Sequence, residues 1–165
     1  MIILIKKMKR IIFNYIVRSK CNHSGRNLKV NRYSVVNSQT TLGNNCNFNG
    51  MRILGKGEVK IGDNFHSGEN CIILTEIHNY DSEVSIPYDN TTIIKPVTIG
   101  DNVWFGINVI VLPGIKIEEG VIIQAGSVVV NDIPKYAIAG GHPAKIFKYR
   151  DSTKYELLKS KKKFF

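Results

Sequence analysis

The 165-residue sequence predicts an all-β chain wound as a parallel β-helix, with a short helix at each end. Three observations predict it. Apolar residues recur every six positions through most of the chain. Glycine and polar residues fill most of the places between them. With 43% hydrophobic and 22% charged residues, the composition is that of a chain that buries a core, so wholesale disorder is excluded.

The repeat is clearest from Ile93, where the chain divides as IIKPVT, IGDNVW, FGINVI, VLPGIK, IEEGVI, IQAGSV and VVNDIP. The first places are Ile93, Ile99, Phe105, Val111, Ile117, Ile123 and Val129. The fifth places are Val97, Val103, Val109, Ile115, Val121, Ser127 and Ile133, all apolar or small. A period of six suits neither a helix nor a simple alternating strand; it fits a short strand and a turn, repeated. Each such rung can bury its apolar residues only by stacking on its neighbours. Upstream, hexads begin at Val30, Val36, Leu42, Phe48, Leu54, Ile61, Ser67 and Ile73, with one extra residue between Leu54 and Ile61. Glycines at the second place (Gly43, Gly55, Gly62, Gly68, Gly100 and Gly106) are expected at corners of unusual φ. Cys46 and Cys71 fall on fifth places and read as small core fillers. Three widely spaced cysteines build neither a disulfide scaffold nor a zinc site, and they suit a reducing, cytoplasmic setting.

The period fails after ILTEIH. Residues 79–92, NYDSEVSIPYDNTT, read as a loop thrown out of the coil, and His78 stands at its base. An imidazole accepts a proton near neutral pH, so His78 is a candidate general base; from the residues alone, a solvated histidine capping a turn is as good a reading.

The blocks IGDNVWFG, LPGIKI, AGSVV and AGGHPAK between Lys95 and Arg150 resemble the hexapeptide-repeat acyltransferases, above all the maltose/galactoside-type and polysaccharide O-acetyltransferases. The resemblance covers roughly residues 28–150. It implies a left-handed β-helix with three hexads per coil, so that fifteen hexads make about five coils, in a homotrimer. It implies His78 as the catalytic base in IHNYD, with Asn79 and Tyr80 beside it for the acceptor, and acetyl-CoA as donor. The cofactor positions that match are Trp104, Gly106, Ala125, Gly126 and Ser127 along the outer wall. Lys145, of the PAK block, and then Arg150 match for the phosphates. Small residues there also have a bland reading, as corner residues of the coil. The metal-dependent branch of this fold needs three histidine ligands, two of them five residues apart; His66 and His78 are twelve apart, so no metal is expected. His23 reads as a surface residue, His66 as a turn residue, and His142 as a neighbour of the cofactor. Glu76, Asp81 and Glu83 lie near His78, but its orienting partner is left unassigned.

The net charge of +10 is segregated. Residues 1–57 hold 11 Lys/Arg and no acid, residues 58–144 carry a net −7, and residues 145–165 a net +6. The acidic centre is most of the expected β-helix, so a nucleic-acid partner is not the natural reading; the C-terminal basic residues suit the phosphates of CoA. Residues 1–27 are expected to form a basic amphipathic helix and cap, covering the open end of the coil or touching a membrane surface through residues 1–20. Residues 28–150 form the expected β-helix and 151–165 a basic helix and tail. The expected function is acetyl transfer to a sugar hydroxyl in surface-polysaccharide assembly. The alternatives are N-acetylation of a nucleotide-linked amino sugar, acetylation of a xenobiotic, or a purely structural β-helix.

Overall fold

In the computed structural model, residues 2–165 are described, with side chains from Leu4 onward. The hexads form three parallel sheets that wrap one apolar interior. Face I stacks His23–Ser24, Thr40–Leu42, Val59–Ile61, Val97–Ile99 and Lys116–Ile117. Face II stacks Lys29–Arg32, Asn47–Asn49, His66–Glu69, Trp104–Phe105, Ile122–Ile123 and Ala137–Gly141. Face III stacks Arg52–Leu54, Ile72–Leu74, Ile110–Val111 and Val128–Val129. The chain therefore winds about six turns rather than five. His23–Ser24 opens a turn upstream of the first counted hexad, and Ile133, in the last hexad and bridged to Ile117, leads into Ala137–Gly141 beyond it.

The inward places follow the pattern. Val97 to Ile133 fill every fifth place with a buried side chain, and Ile99, Phe105, Val111, Ile117, Ile123 and Val129 are buried at the first places. Phe65 lies edge-on between Phe48 (5.9 Å between centroids) and Phe105 (5.1 Å), so aromatic packing runs along the axis across three turns. Ile93, by contrast, is half-buried: it pairs antiparallel with Ile77 and is no rung of the coil. The upstream slip also differs from expectation. Ile53, not Leu54, points inward opposite Ile73, because a bulge after Asn47 and the left-handed Gly50 (φ 86°) shorten that rung by one residue.

The corner glycines also differ from expectation. Of the six second-place glycines only Gly55 has a positive φ (92°). The left-handed corner residue is usually asparagine: Asn45, Asn64, Asn102 and Asn108 all have φ near 56°. The amides of Asn45, Asn64 and Asn102 form a ladder at the corner between faces I and II, Asn45 Nδ2 donating to Asn64 Oδ1 (3.0 Å) and Asn64 Nδ2 to Asn102 Oδ1 (2.9 Å). The glycines are there for closeness. A Cβ on Gly62 would stand 2.8 Å from the Asp101 nitrogen of the next turn.

Both ends of the stack are covered. The first helix, α1 (Ile2–Lys20), lies on Lys29–Arg32, with Val17 buried and Phe13 packed on the core, and Asn14 Oδ1 accepts the Val30 N–H (2.7 Å) that no further rung could accept. At the other end Ala144–Tyr149 folds back antiparallel on Ala137–Gly141. The second helix, α2 (Ser152–Ser160), is capped by Asp151, which accepts the Lys154 N–H (2.9 Å). It docks through Tyr155, whose hydroxyl accepts from Asn102 Nδ2 (2.8 Å) at the top of the asparagine ladder and donates to Glu119 (3.1 Å).

Candidate active site

The excursion at residues 79–92 is built as an arm. Glu76–His78 pairs antiparallel with Thr92–Ile94, His78 opposite Thr92, so the arm leaves the corner between faces III and I. Its root is pinned by Thr75, fully buried, whose hydroxyl donates to Leu54 O (2.9 Å) and accepts the Gly57 N–H (3.0 Å). His78 is thus on the arm and not on the coil.

Asp89 organises the loop, accepting from Ser82 Oγ (2.7 Å) and the Thr91 N–H (2.7 Å), while Ser85 Oγ donates to Tyr88 O (2.8 Å). The hydroxyl and amide of Thr91 and the Ser82 hydroxyl hold the Asp89 carboxyl below the usual carboxylate range. The result is that Tyr88 lies flat on His78, 3.9 Å between ring centroids and 12° between planes, leaving the imidazole exposed on its other side. Nothing in the sequence marks Tyr88, because the loop has no period from which to place it. Glu76 is not free to orient His78: hydrogen bonds from Thr92 and Lys56 hold it, and they keep its carboxyl low. Asn79 is committed to closing the arm, with Nδ2 donating to Thr91 Oγ1 (3.1 Å), whereas Tyr80 is exposed.

The other expected residues lie along face II and the corner between faces II and III. Trp104 projects outward, 54% exposed, from the same rung position as His66 one turn below. Together with Arg150, Tyr155 and Phe165 they line an open cleft of about 580 Å³. Burial, with a smaller contribution from Lys29, holds the His66 imidazole below its ordinary range. The sixth hexad place, which points outward, marks both His66 and Trp104 once the arm is left out of the count. Gly106 stacks directly under Ala125, and Gly126 (φ 71°) has open space above it. The Ser127 side chain is turned inward and fully buried, donating to Gln124 O (2.6 Å) and accepting the Gly141 N–H (3.1 Å), and its carbonyl accepts the Ile110 N–H (2.9 Å). Lys145 is exposed on the returning strand opposite Gly140. Arg150 is half-buried, its guanidinium donating to Gly120 O (3.1 Å) and lying over the Tyr155 ring. Within one chain, then, His78 and the Trp104–Gly126 wall stand at opposite edges of face III. Among the described residues no group of three His, Cys, Asp or Glu is placed to hold a metal ion.

Residues 96–131 match the family model described as "Bacterial transferase hexapeptide (six repeats)". A Saccharomyces cerevisiae protein named "Putative acetyltransferase YJL218W" is 38% identical over 118 residues, 58% of this chain and 59% of its own length. This chain therefore spans less than two thirds of that relative. A maltose O-acetyltransferase from Clostridium difficile 630 has a similar fold, with a TM-score of 0.64 and 26% identity over 90% of this chain and 89% of its own. A galactoside acetyltransferase solved in complex with coenzyme A gives 0.75 and 25% over 92% and 82%. By repeat, fold and sequence, the chain carries the bacterial transferase hexapeptide repeat and is similar to acetyltransferases of the maltose and galactoside type.

Proposed function

We propose that the protein transfers the acetyl group of acetyl-CoA to a sugar hydroxyl, with His78 as general base. The observation that carries this is the His78 ring, held out from the coil on a pinned arm, stacked on Tyr88 and open on one side. The acceptor hydroxyl, beside Tyr80, gives its proton to the imidazole as its oxygen attacks the thioester carbonyl. Backbone N–H groups stabilise the oxyanion, the C–S bond breaks, and the imidazolium returns the proton to the leaving CoA thiolate. The products are an acetyl ester and free CoA. The pantetheine arm lies along Trp104, Gly106, Ala125, Gly126 and the Ser127 backbone, with its phosphates near Lys145 and Arg150. The coenzyme A held by the galactoside acetyltransferase of similar fold supports this cofactor.

The working unit in this reading is a homotrimer. Its support is the outer side of face III, where Ile72, Ile110 and Val128 form an apolar ladder, half-buried in the single chain. The matching outward places of face I are Lys60, Thr98 and Lys116. Covering face III with a second copy brings the His78 arm of one subunit toward the Trp104 wall of another. The acceptor is a glycan of surface-polysaccharide assembly, acetylated in the cytoplasm, where the three free thiols stay reduced.

Thiol release from acetyl-CoA, measured against a panel of sugars, tests the reading. His78→Ala is expected to lower kcat by about 100- to 10,000-fold with the fold intact, the range typical of a lost general base. Undiminished transfer by His78→Ala, or no transfer to any sugar by the wild type, overturns it.

A further inference from the structure

The helix α1 carries most of its apolar residues on the side away from the coil. Phe13, Asn14 and Val17 face the first rungs. Leu4, Ile5, Met8, Ile11, Ile12 and Tyr15 are instead exposed, Tyr15 to 73%. At 3.6 residues per turn these six fill an arc of roughly 120° on the side opposite Val17, with no charged residue inside it. Lys7 and Arg18 border one edge of the arc, Lys9 and Lys20 the other. A second observation lies beside the first. Lys6, Lys7, Lys9 and Arg10 converge with Arg32 on a cleft of about 500 Å³ between α1 and face II, which two asparagines complete. Of these, Arg32 also pairs with Glu69 (2.9 Å). The helix itself contains six basic residues and no acid, and the chain has no acid before Glu58.

We propose that α1 seats the protein on an anionic phospholipid surface. The apolar arc enters the boundary between headgroups and acyl chains. The flanking lysines and arginine meet lipid phosphates on both sides, and the basic cleft takes further headgroup phosphate. Among the described residues no helix is long and apolar enough to cross a membrane, so the contact is peripheral. A second copy is the poorer occupant: two such helices packed arc to arc set six positive charges against six, with no carboxylate on either helix to pair them. A polyanion such as nucleic acid matches the charge but leaves the arc in water. The inference stands apart from the acetyl-transfer reading, since it uses none of that site's residues.

Co-sedimentation of the full chain with vesicles tests it, comparing phosphatidylglycerol/phosphatidylcholine mixtures with phosphatidylcholine alone. Wild type is expected to sediment with the anionic vesicles and stay in solution with the neutral ones. Met8→Glu/Ile12→Glu places charge in the middle of the arc, far from the core, and Lys7→Glu/Lys9→Glu reverses one charge on each flank. Each pair is expected to lower partitioning about tenfold or more, with the circular dichroism melt unchanged. Wild type that ignores anionic vesicles overturns the proposal. So does binding unaffected by Met8→Glu/Ile12→Glu and matched by a DNA duplex, which would make the helix a general polyanion site. A fall in oligomer mass caused by Met8→Glu/Ile12→Glu also overturns it, because the arc would then be an interface between copies.

Discussion

Gly106 and Gly126 stand on the same outer wall, yet the structure separates what each is for, and alanine measures the difference. A Cβ on Gly106 would lie 2.5 Å from the Ala125 nitrogen and 2.7 Å from its Cα, contacts that no side-chain rotation relieves. Two adjacent turns, held by Gly106 N–H to Ile123 O (2.8 Å), would have to part. Overpacking costs about 1–3 kcal/mol, and a backbone clash belongs at the upper end, about 3 kcal/mol. Gly126 has no heavy atom within 4 Å of the same added Cβ, so only its left-handed φ of 71° opposes alanine, at about 1 kcal/mol. Asparagine at 126 should cost less than alanine, because asparagine holds that conformation at Asn64 and Asn102. For a chain of this size 1 kcal/mol moves Tm by about 2–4 °C, so Gly106→Ala should lower Tm by about 6–12 °C and Gly126→Ala by about 2–4 °C. Thermal unfolding by far-UV circular dichroism at one fixed protomer concentration reads both, since assembly makes Tm depend on concentration. Gly106→Ala melting no lower than Gly126→Ala would refute the close-approach argument.

Three further outcomes are expected. Ile110→Glu puts a charge on the apolar outer side of face III and should shift the mass measured by light scattering from trimer to monomer; an unchanged mass refutes the interface. Burial pushes the Cys46 thiol up to about 12, and burial also raises that of Cys71, so iodoacetamide at about pH 8 should label neither until denaturant is added. Labelling of native Cys46 at the rate of a free thiol contradicts that. The folded pKa of Asp89 lies below its unfolded value, so its hold on the loop is complete above about pH 4 and is lost as pH falls through the folded value. The ring-current shift that Tyr88 imposes on His78 in proton NMR should vanish over that range, and should be absent in Asp89→Asn at every pH; a shift persisting in Asp89→Asn counts against this role of the loop.

How much of this was legible in the sequence depends on what each residue answers to. From Val97 to Ile133 the inward places can be read one by one, because there each rung keeps its six residues and only one class of side chain fits inside. At Ile53-Leu54 the period had two adjacent aliphatic residues to choose from, and the backbone of Gly50 made the choice. The second-place glycines are visible in the sequence, but their reason is not, since a sequence does not say whether a missing Cβ serves φ or closeness. Only the stacking of Gly62 on Asp101 decides it. The place of His78 was visible as the point where the period stops. Tyr88 was not, because its position over the imidazole comes from the antiparallel pairing of His78 with Thr92, which no repeat encodes. The outward places hold one more layer of information. Read at every third hexad, sixth places give Lys60, Thr98 and Lys116 on one face, His66, Trp104 and Ile122 on the next, and Ile72, Ile110 and Val128 on the third. On the proposed function, that order of polar, mixed and apolar faces assigns one side to water, one to a ligand and one to another copy of the chain. It emerges only after the arm is removed from the count and the turns are aligned in threes, so the function of each face becomes readable one step after the fold itself.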